Sequence, residues 1–87
     1  MLKINKIKEL CRELPYSDML LAFTLIEKRD FIELEALIKS VIVLIDLNNI
    51  KSEPRQEISS LDESKIMELY NLVLDYKSQL IGVEDDD

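Results

Sequence analysis

The chain contains no histidine, a single cysteine and a single glycine. Without histidine it lacks the side chain that most often acts as a general base near neutral pH and most often binds metals. One cysteine cannot form a disulfide within the chain, and one glycine cannot supply the glycine-rich loop that cradles phosphates. We therefore expect no enzyme, no cofactor, no metal site and no small-molecule substrate.

The length of 87 residues allows one domain. Folding a chain of this size buries about 64% of the surface of the unfolded chain, so the core is marginal. Small domains without disulfides or metals often gain stability by self-association. We expect a single helical domain at residues 1–82 and an acidic C-terminal tail at residues 83–87.

The hydrophobic residues, 47% of the chain, are typical of a folded protein. The longest strongly apolar runs, residues 19–26 and 41–45, are far shorter than the roughly 20 residues that cross a bilayer. Near the start, Glu9, Arg12 and Glu13 interrupt the apolar stretch that a signal peptide would need. The sequence predicts a soluble, cytoplasmic protein with a reduced thiol and no membrane partner.

Apolar residues recur every three or four positions along most of the chain, as in amphipathic helices. This spacing predicts an all-α fold, a small compact bundle of four helices at residues 3–14, 18–29, 31–47 and 61–81. The second helix is apolar nearly all round, and each of the others carries one main stripe. The last helix has a second stripe beside its main one, formed by Met67, Tyr70, Leu74 and Ile81. The main stripes are Ile4, Ile7, Cys11 and Leu14; Phe31, Leu34, Ile38, Val41 and Ile45; and Ile66, Leu69, Val73, Tyr76 and Leu80.

Capping and helix-breaking residues predict where the first three helices begin or end. Pro15 is expected to end the first helix, because the residue before a proline avoids the helical region. Ser17 is a candidate N-cap of the second helix. Asp30 and Glu33 have the spacing of a capping box at the start of the third helix.

The last helix has similar signals at both ends. Ser60 and Glu63 have the spacing of a capping box, and Gly82 stands where a glycine commonly ends a helix. Glu68 and Asp75 fall opposite the apolar stripe, on the face expected to be exposed.

A long loop at residues 48–59, containing Pro54, separates the third and fourth predicted helices. Loops of this length are uncommon in compact domains and are either functional or mobile. Ile50 and Ile58 are expected to anchor it to the core. The simpler interpretation, a plain connection between antiparallel helices, is the one we favour.

Cys11, the only thiol, lies on the apolar stripe of the first helix. As a nucleophile it would need a base, and only Lys8 or Arg12 could lower its pKa. Free cysteine is among the most buried residue types, so we interpret Cys11 as a core residue. The acidic residues 84–87 could bind a hard cation only loosely, since the spacing of a calcium loop is absent.

The net charge of −7 is unevenly distributed. Residues 52–87 carry ten acidic and three basic groups, whereas residues 1–14 carry a net positive charge of two. An acidic chain repels phosphate, so we expect no direct binding of nucleic acid. The acidic residues expected to select a basic partner are Glu68, Asp75, Glu84, Asp85, Asp86 and Asp87.

The predicted helices contain more apolar residues than a small core needs. They hold 35, where helices of this total length use about 27 core-facing positions. A surplus of this kind predicts apolar side chains left on the surface, and such patches mark association surfaces. The residues hardest to bury together are Leu20, Leu21, Leu25, Val43 and Leu47.

These features predict a non-catalytic protein–protein interaction module, such as a small inhibitor, adaptor or accessory subunit. Its partner would be another protein or a second copy of the chain. One alternative is an acidic decoy that blocks a nucleic-acid-binding surface on another protein, in a complex weakened strongly by salt. The other is a self-assembling structural component, with symmetric copies in contact.

Overall fold

The computed structural model describes the backbone of residues 2–85 and the side chains of residues 3–79. The described residues form five helices and no strand. The helices are α1 (Leu2–Cys11), α2 (Tyr16–Glu27), α3 (Phe31–Asn49), α4 (Gln56–Ser59) and α5 (Glu63–Asp85). The predicted all-α bundle is confirmed, with the short α4 inside the predicted loop and α5 in the place of the fourth predicted helix.

The four long helices pack in a ring. α1 contacts α2 and α5, and α3 contacts α2 and α5, so α1 and α3 lie on one diagonal and α2 and α5 on the other. Lys3 pairs with Asp75, and Lys65 lies 3.9 Å from Glu13, so α1 and α5 run antiparallel. The short α4 packs against α3. The result is an elongated bundle of 52 × 20 × 18 Å.

The core is built from the predicted stripes. Its members on α1, the turn that follows α1, α3 and α5, none more than 5% exposed, are Ile7, Leu10, Cys11, Leu14, Phe31, Leu34, Ile38, Val41, Ile45, Ile66, Leu69 and Val73. Ile4 and Tyr76 pack at its edge, and the Phe31 ring meets the Tyr76 ring edge-on with centroids 4.9 Å apart. The side chain of Leu80 lies outside the described residues. Helical periodicity alone predicted these positions because each helix buries a single face.

The junction between α1 and α2 differs from the prediction. α1 ends at Cys11, and residues 12–14 continue as turns. Pro15, with ψ of 151°, occupies the N-cap position of α2, so the prediction of a Ser17 cap is wrong and Ser17 lies in the first turn. Proline suits this place because its fixed φ and missing N–H cost nothing before the first helical hydrogen bond. Asp18 lies in the first turn as expected.

A left-handed residue, Arg29 with φ of 57°, ends α2. The N–H of Asp30 donates to the carbonyl of Leu25 over 2.9 Å, and the N–H of Arg29 donates to that of Ile26 over 3.0 Å. This is a Schellman motif with arginine where glycine is usual, and the left-handed conformation costs about 1–2 kcal/mol. The carboxylate of Asp30 then accepts from the N–H of Glu33, which confirms the predicted start of α3.

Both predicted ends of the last helix are wrong. Asp62 caps α5, since its Oδ1 accepts from the N–H of Lys65, while the Ser60 hydroxyl donates to a carbonyl of α4. Aspartate caps a helix as well as serine does, and the end of α4 takes up Ser60. α5 runs through Gly82 to Asp85. Glycine inside a helix costs only about 1 kcal/mol relative to alanine, so it does not by itself end one.

The amide of Asn48 ties the loop to the last turn of α3, where this side chain is only 2% exposed. Its Oδ1 accepts from the N–H of Arg55 over 2.8 Å, and its Nδ2 donates to Ser59 Oγ over 3.1 Å. A paired amide can be buried without the penalty of an unsatisfied group. Ile58 is buried as predicted. The prediction for Ile50 is wrong, because it lies about 200° round the helix from Asn48 and faces solvent.

Replacing Asn48 tests this anchor. Asn48→Ala removes the partners of the Arg55 N–H and the Ser59 hydroxyl, so we expect the free energy of unfolding to fall by about 1–2 kcal/mol in urea titrations. Asn49→Ala, at an exposed neighbouring position, is the matched control and should change it by less than about 0.5 kcal/mol. Equal stabilities of the two variants would show that the amide does not hold the loop.

Candidate protein-interaction face

α3 carries a second apolar stripe on the side opposite the core. Its members follow one another at steps of three or four residues and therefore stand on one side of the helix. We call this stripe the outer row; it consists of Ile32, Ala36, Ser40, Val43, Leu47 and Ile50. Val43 is 48% exposed, Leu47 51% and Ile50 80%. The two predicted α3 residues, Val43 and Leu47, thus belong to a longer exposed row.

A groove between α2 and α3 adjoins the outer row. It has a volume of about 240 Å³ and is lined by Leu21, Leu25, Glu33, Ala36, Leu37 and Ser40. Leu21 is exposed, whereas Leu25 is half-buried and packs against the core. Ala36 and Ser40 belong to both features, so groove and outer row form one continuous surface. We call this surface the α2–α3 face.

Leu20, although exposed, does not belong to this face. It lies about 100° round α2 from Leu21, on the side that carries Phe23. The guanidinium of Arg12, the residue that follows α1, lies 5.9 Å from the centre of the Phe23 ring, so this side of α2 is directed toward the end of α1. The structure therefore brings together four of the five predicted apolar residues.

The predicted acidic residues lie elsewhere on the bundle. Glu68 and Asp75 are exposed on the outer side of α5, as predicted, and α5 is diagonal to α2. Asp75 pairs with Lys3 of α1, which offsets part of its charge. Glu84 and Asp85 continue α5, with side chains outside the described part, and Asp86 and Asp87 lie outside the described residues. Within the described side chains, apolar and acidic candidates form two separate surfaces.

The sequence analysis missed Ile32, Ala36, Ser40 and Ile50. The signal was present, because positions 36, 40, 43, 47 and 50 repeat the three-and-four spacing on the side of the helix opposite the buried stripe. A helix with two such stripes at one corner of the bundle buries one in the core and leaves the other exposed. Only the packing shows which stripe is which.

Two further depressions are larger than the groove. One, of about 410 Å³, lies between the start of α2 and α4, and its Arg55 and Glu57 side chains pair with each other. Another, about 260 Å³, contains Lys8, Arg29 and Glu27, so positive and negative groups share it. Neither contains the thiol.

Cys11 is fully buried, and burial raises the pKa of its thiol to about 12. The interpretation of Cys11 as a core residue is confirmed, since a protonated, enclosed thiol is a poor nucleophile. Within the described residues, no three acidic or cysteine side chains come together as ligands for a metal ion. None of the helices between residues 2 and 85 is both long and apolar enough to cross a membrane.

The buried thiol predicts a pH dependence. The folded state holds its proton more tightly than the unfolded state, so stability should fall as the pH rises from 9 toward 12. Cys11→Ala removes this contribution, and its stability should fall less steeply over that range in urea titrations. The folded protein should also resist alkylation at about pH 8 and react only when unfolded. Alkylation of folded and unfolded protein at the same rate would contradict this prediction.

Comparison of the chain with protein-family models, with curated proteins and with solved structures finds no match in any of the three. The function is therefore inferred from the residues and their geometry.

Proposed function

We propose that the chain is a non-catalytic protein–protein interaction module that binds its partner through the α2–α3 face. The supporting observation is the distribution of exposed apolar residues. Of the eight large apolar side chains exposed among the described residues, five lie on this face. They are Leu21, Ile32, Val43, Leu47 and Ile50.

The physical basis of binding is removal of this apolar surface from water, which contributes about 25 cal/mol per Å² buried. Charged residues flank the face, with Glu33 at the groove and Lys39 and Asp46 beside the outer row. An apolar centre with a polar rim is the usual composition of a protein interface. A small inhibitor, adaptor or accessory subunit requires such a face and no catalytic groups.

The acidic C-terminal half would act on the rate and selectivity of association. Residues 52–87 hold the whole net charge of −7, and the outer side of α5 lies away from the groove. Charge at this distance attracts a basic partner over several ångströms without forming the buried contact. The free Cys11 fits a reducing compartment, and we propose a cytoplasmic location.

Charged substitutions on the face test this function. Leu21→Glu and Val43→Glu place a carboxylate in the apolar centre, so binding of the partner should weaken by at least about tenfold. The measurement is affinity capture by the tagged full chain, from extracts and from mixtures with an untagged second copy, together with the hydrodynamic mass. Asn5→Glu is the matched control, because Asn5 is exposed on α1, the helix diagonal to α3, which carries the outer row.

The proposal would be wrong if both Leu21→Glu and Val43→Glu left the capture of the partner and the hydrodynamic mass unchanged. Capture that depends on salt but not on these two residues would favour the acidic decoy instead. Circular dichroism spectra of all variants establish that each remains folded.

Removal of the acidic C-terminus tests the electrostatic role. Deletion of residues 84–87 should slow association severalfold and leave the dissociation rate nearly unchanged, as expected for steering by distant charge. Replacing the same four residues by their amides should have the same effect, since only charge is lost. Surface plasmon resonance at low and high salt measures both rates. Equal association rates for all three proteins at low salt would remove these residues from the mechanism.

A further inference from the structure

We propose that the α2–α3 face binds a second copy of this chain, with the outer rows of two α3 helices in antiparallel contact about a twofold axis. This inference rests on the proposed function and specifies the partner as a second copy. Because each copy carries a net charge of −7, the attraction of a basic partner by residues 52–87 does not apply to this pairing, and deletion of residues 84–87 should strengthen the dimer. Three features of the outer row carry it: its spacing, the sizes of its side chains and the charges beside it.

The spacing is that of a helix–helix seam. From Ala36 to Ile50 the row advances by four, three, four and three residues, the repeat that keeps one side of a helix against another over several turns. A single exposed apolar residue would have no such regularity. The outer row thus has the geometry to contact another helix along most of the length of α3.

The side-chain sizes are self-complementary when the two helices are antiparallel. With the twofold axis between Val41 and Ile42, Leu47 of one copy faces Ala36 of the other, and Val43 faces Ser40. Ile50 of one copy comes beside Ile32 of the other. Two of these contacts thus join a larger residue to a smaller one, and the third joins two isoleucines at the end of the row, so the surfaces can interdigitate near the axis.

Ser40 is compatible with burial at such a seam. Its hydroxyl donates to the carbonyl of Ala36 over 3.0 Å within the same helix. Because this donor already has a partner, covering it does not leave an unsatisfied polar group. Ser40, the one polar member of the row, can therefore be buried between the two helices without a bridging water.

The charges beside the row are also self-complementary. Lys39 and Asp46 are exposed on the same flank, two turns apart, and neither belongs to an ion pair among residues 3–79. In the antiparallel arrangement Lys39 of each copy lies near Asp46 of the other, and symmetry forms this pair twice. In a parallel arrangement the twofold axis would place this flank of the two copies on opposite sides of the seam, and the Lys39–Asp46 pairs could not form. The charge pattern therefore selects the antiparallel pairing.

The first test is the mass of the purified full chain by light scattering and sedimentation, at concentrations from about 1 μM to 1 mM. We expect a concentration-dependent dimer. Val43→Glu loses two apolar contacts and brings two carboxylates near the axis, so it should weaken the dimer by at least about hundredfold. Asn5→Glu adds the same charge on α1, the helix diagonal to α3, and should leave the dimer unchanged.

The second test is a charge exchange. Lys39→Asp and Asp46→Lys each replace two attractions by two repulsions, so each alone should weaken the dimer by about tenfold. The double variant Lys39→Asp/Asp46→Lys restores both attractive pairs and should return the dissociation constant to within about threefold of the original. Both positions are exposed, and neither substitution touches the core.

A chain that stays monomeric throughout the concentration range overturns the inference, as does a dimer that Val43→Glu leaves intact. A double variant weaker than either single variant overturns the antiparallel pairing. If the monomeric chain captures a different protein through Leu21 and Val43, the second-copy inference fails and the proposed function stands. If capture is also indifferent to these two residues, both fail.

Discussion

The structure depends on the burial of a single face of α3. Phe31, Leu34, Ile38, Val41 and Ile45 are all nearly inaccessible to solvent, and they contact helices on both neighbouring corners of the bundle. Removing this stripe from water is the main favourable contribution available to so small a domain. The loop and α4 then pack against the end of the same helix through Asn48 and Ile58.

The same constraint leaves the opposite face of α3 uncovered. Four helices in a ring can enclose only their inward faces, so a helix with two apolar stripes exposes one of them. The outer row is exposed for this reason, and the adjoining groove extends it to Leu21 and Leu25. Exposed apolar patches commonly mark association surfaces, and this is the basis for proposing a role in protein association.

Local pattern was sufficient for the core and for the start of α3 at Asp30, but it was insufficient for three other helix ends. The buried positions of α1, α3 and α5 follow from spacing, because each helix needs only one inward face. Ser17, Ser60 and Gly82 were misread as helix ends because neighbouring residues compete for the same role. Pro15 and Asp62 occupy the cap positions of α2 and α5 instead of the two serines, because of where they lie in the preceding turns. At the third end, the helix continues through Gly82, and the path of the chain decides whether a glycine ends a helix.

The sequence by itself determined an all-α fold, the inward stripes, a core thiol and a surplus of apolar residues, since these follow from composition and from the period of the helix. Tertiary structure alone decided where the surplus lies. It separated Leu20 from Leu21, joined Leu21 and Leu25 to Val43 and Leu47, and placed Glu68 on a different side. The physical reason is that residues far apart in the chain share a surface only through the packing of helices, and no local rule contains that packing.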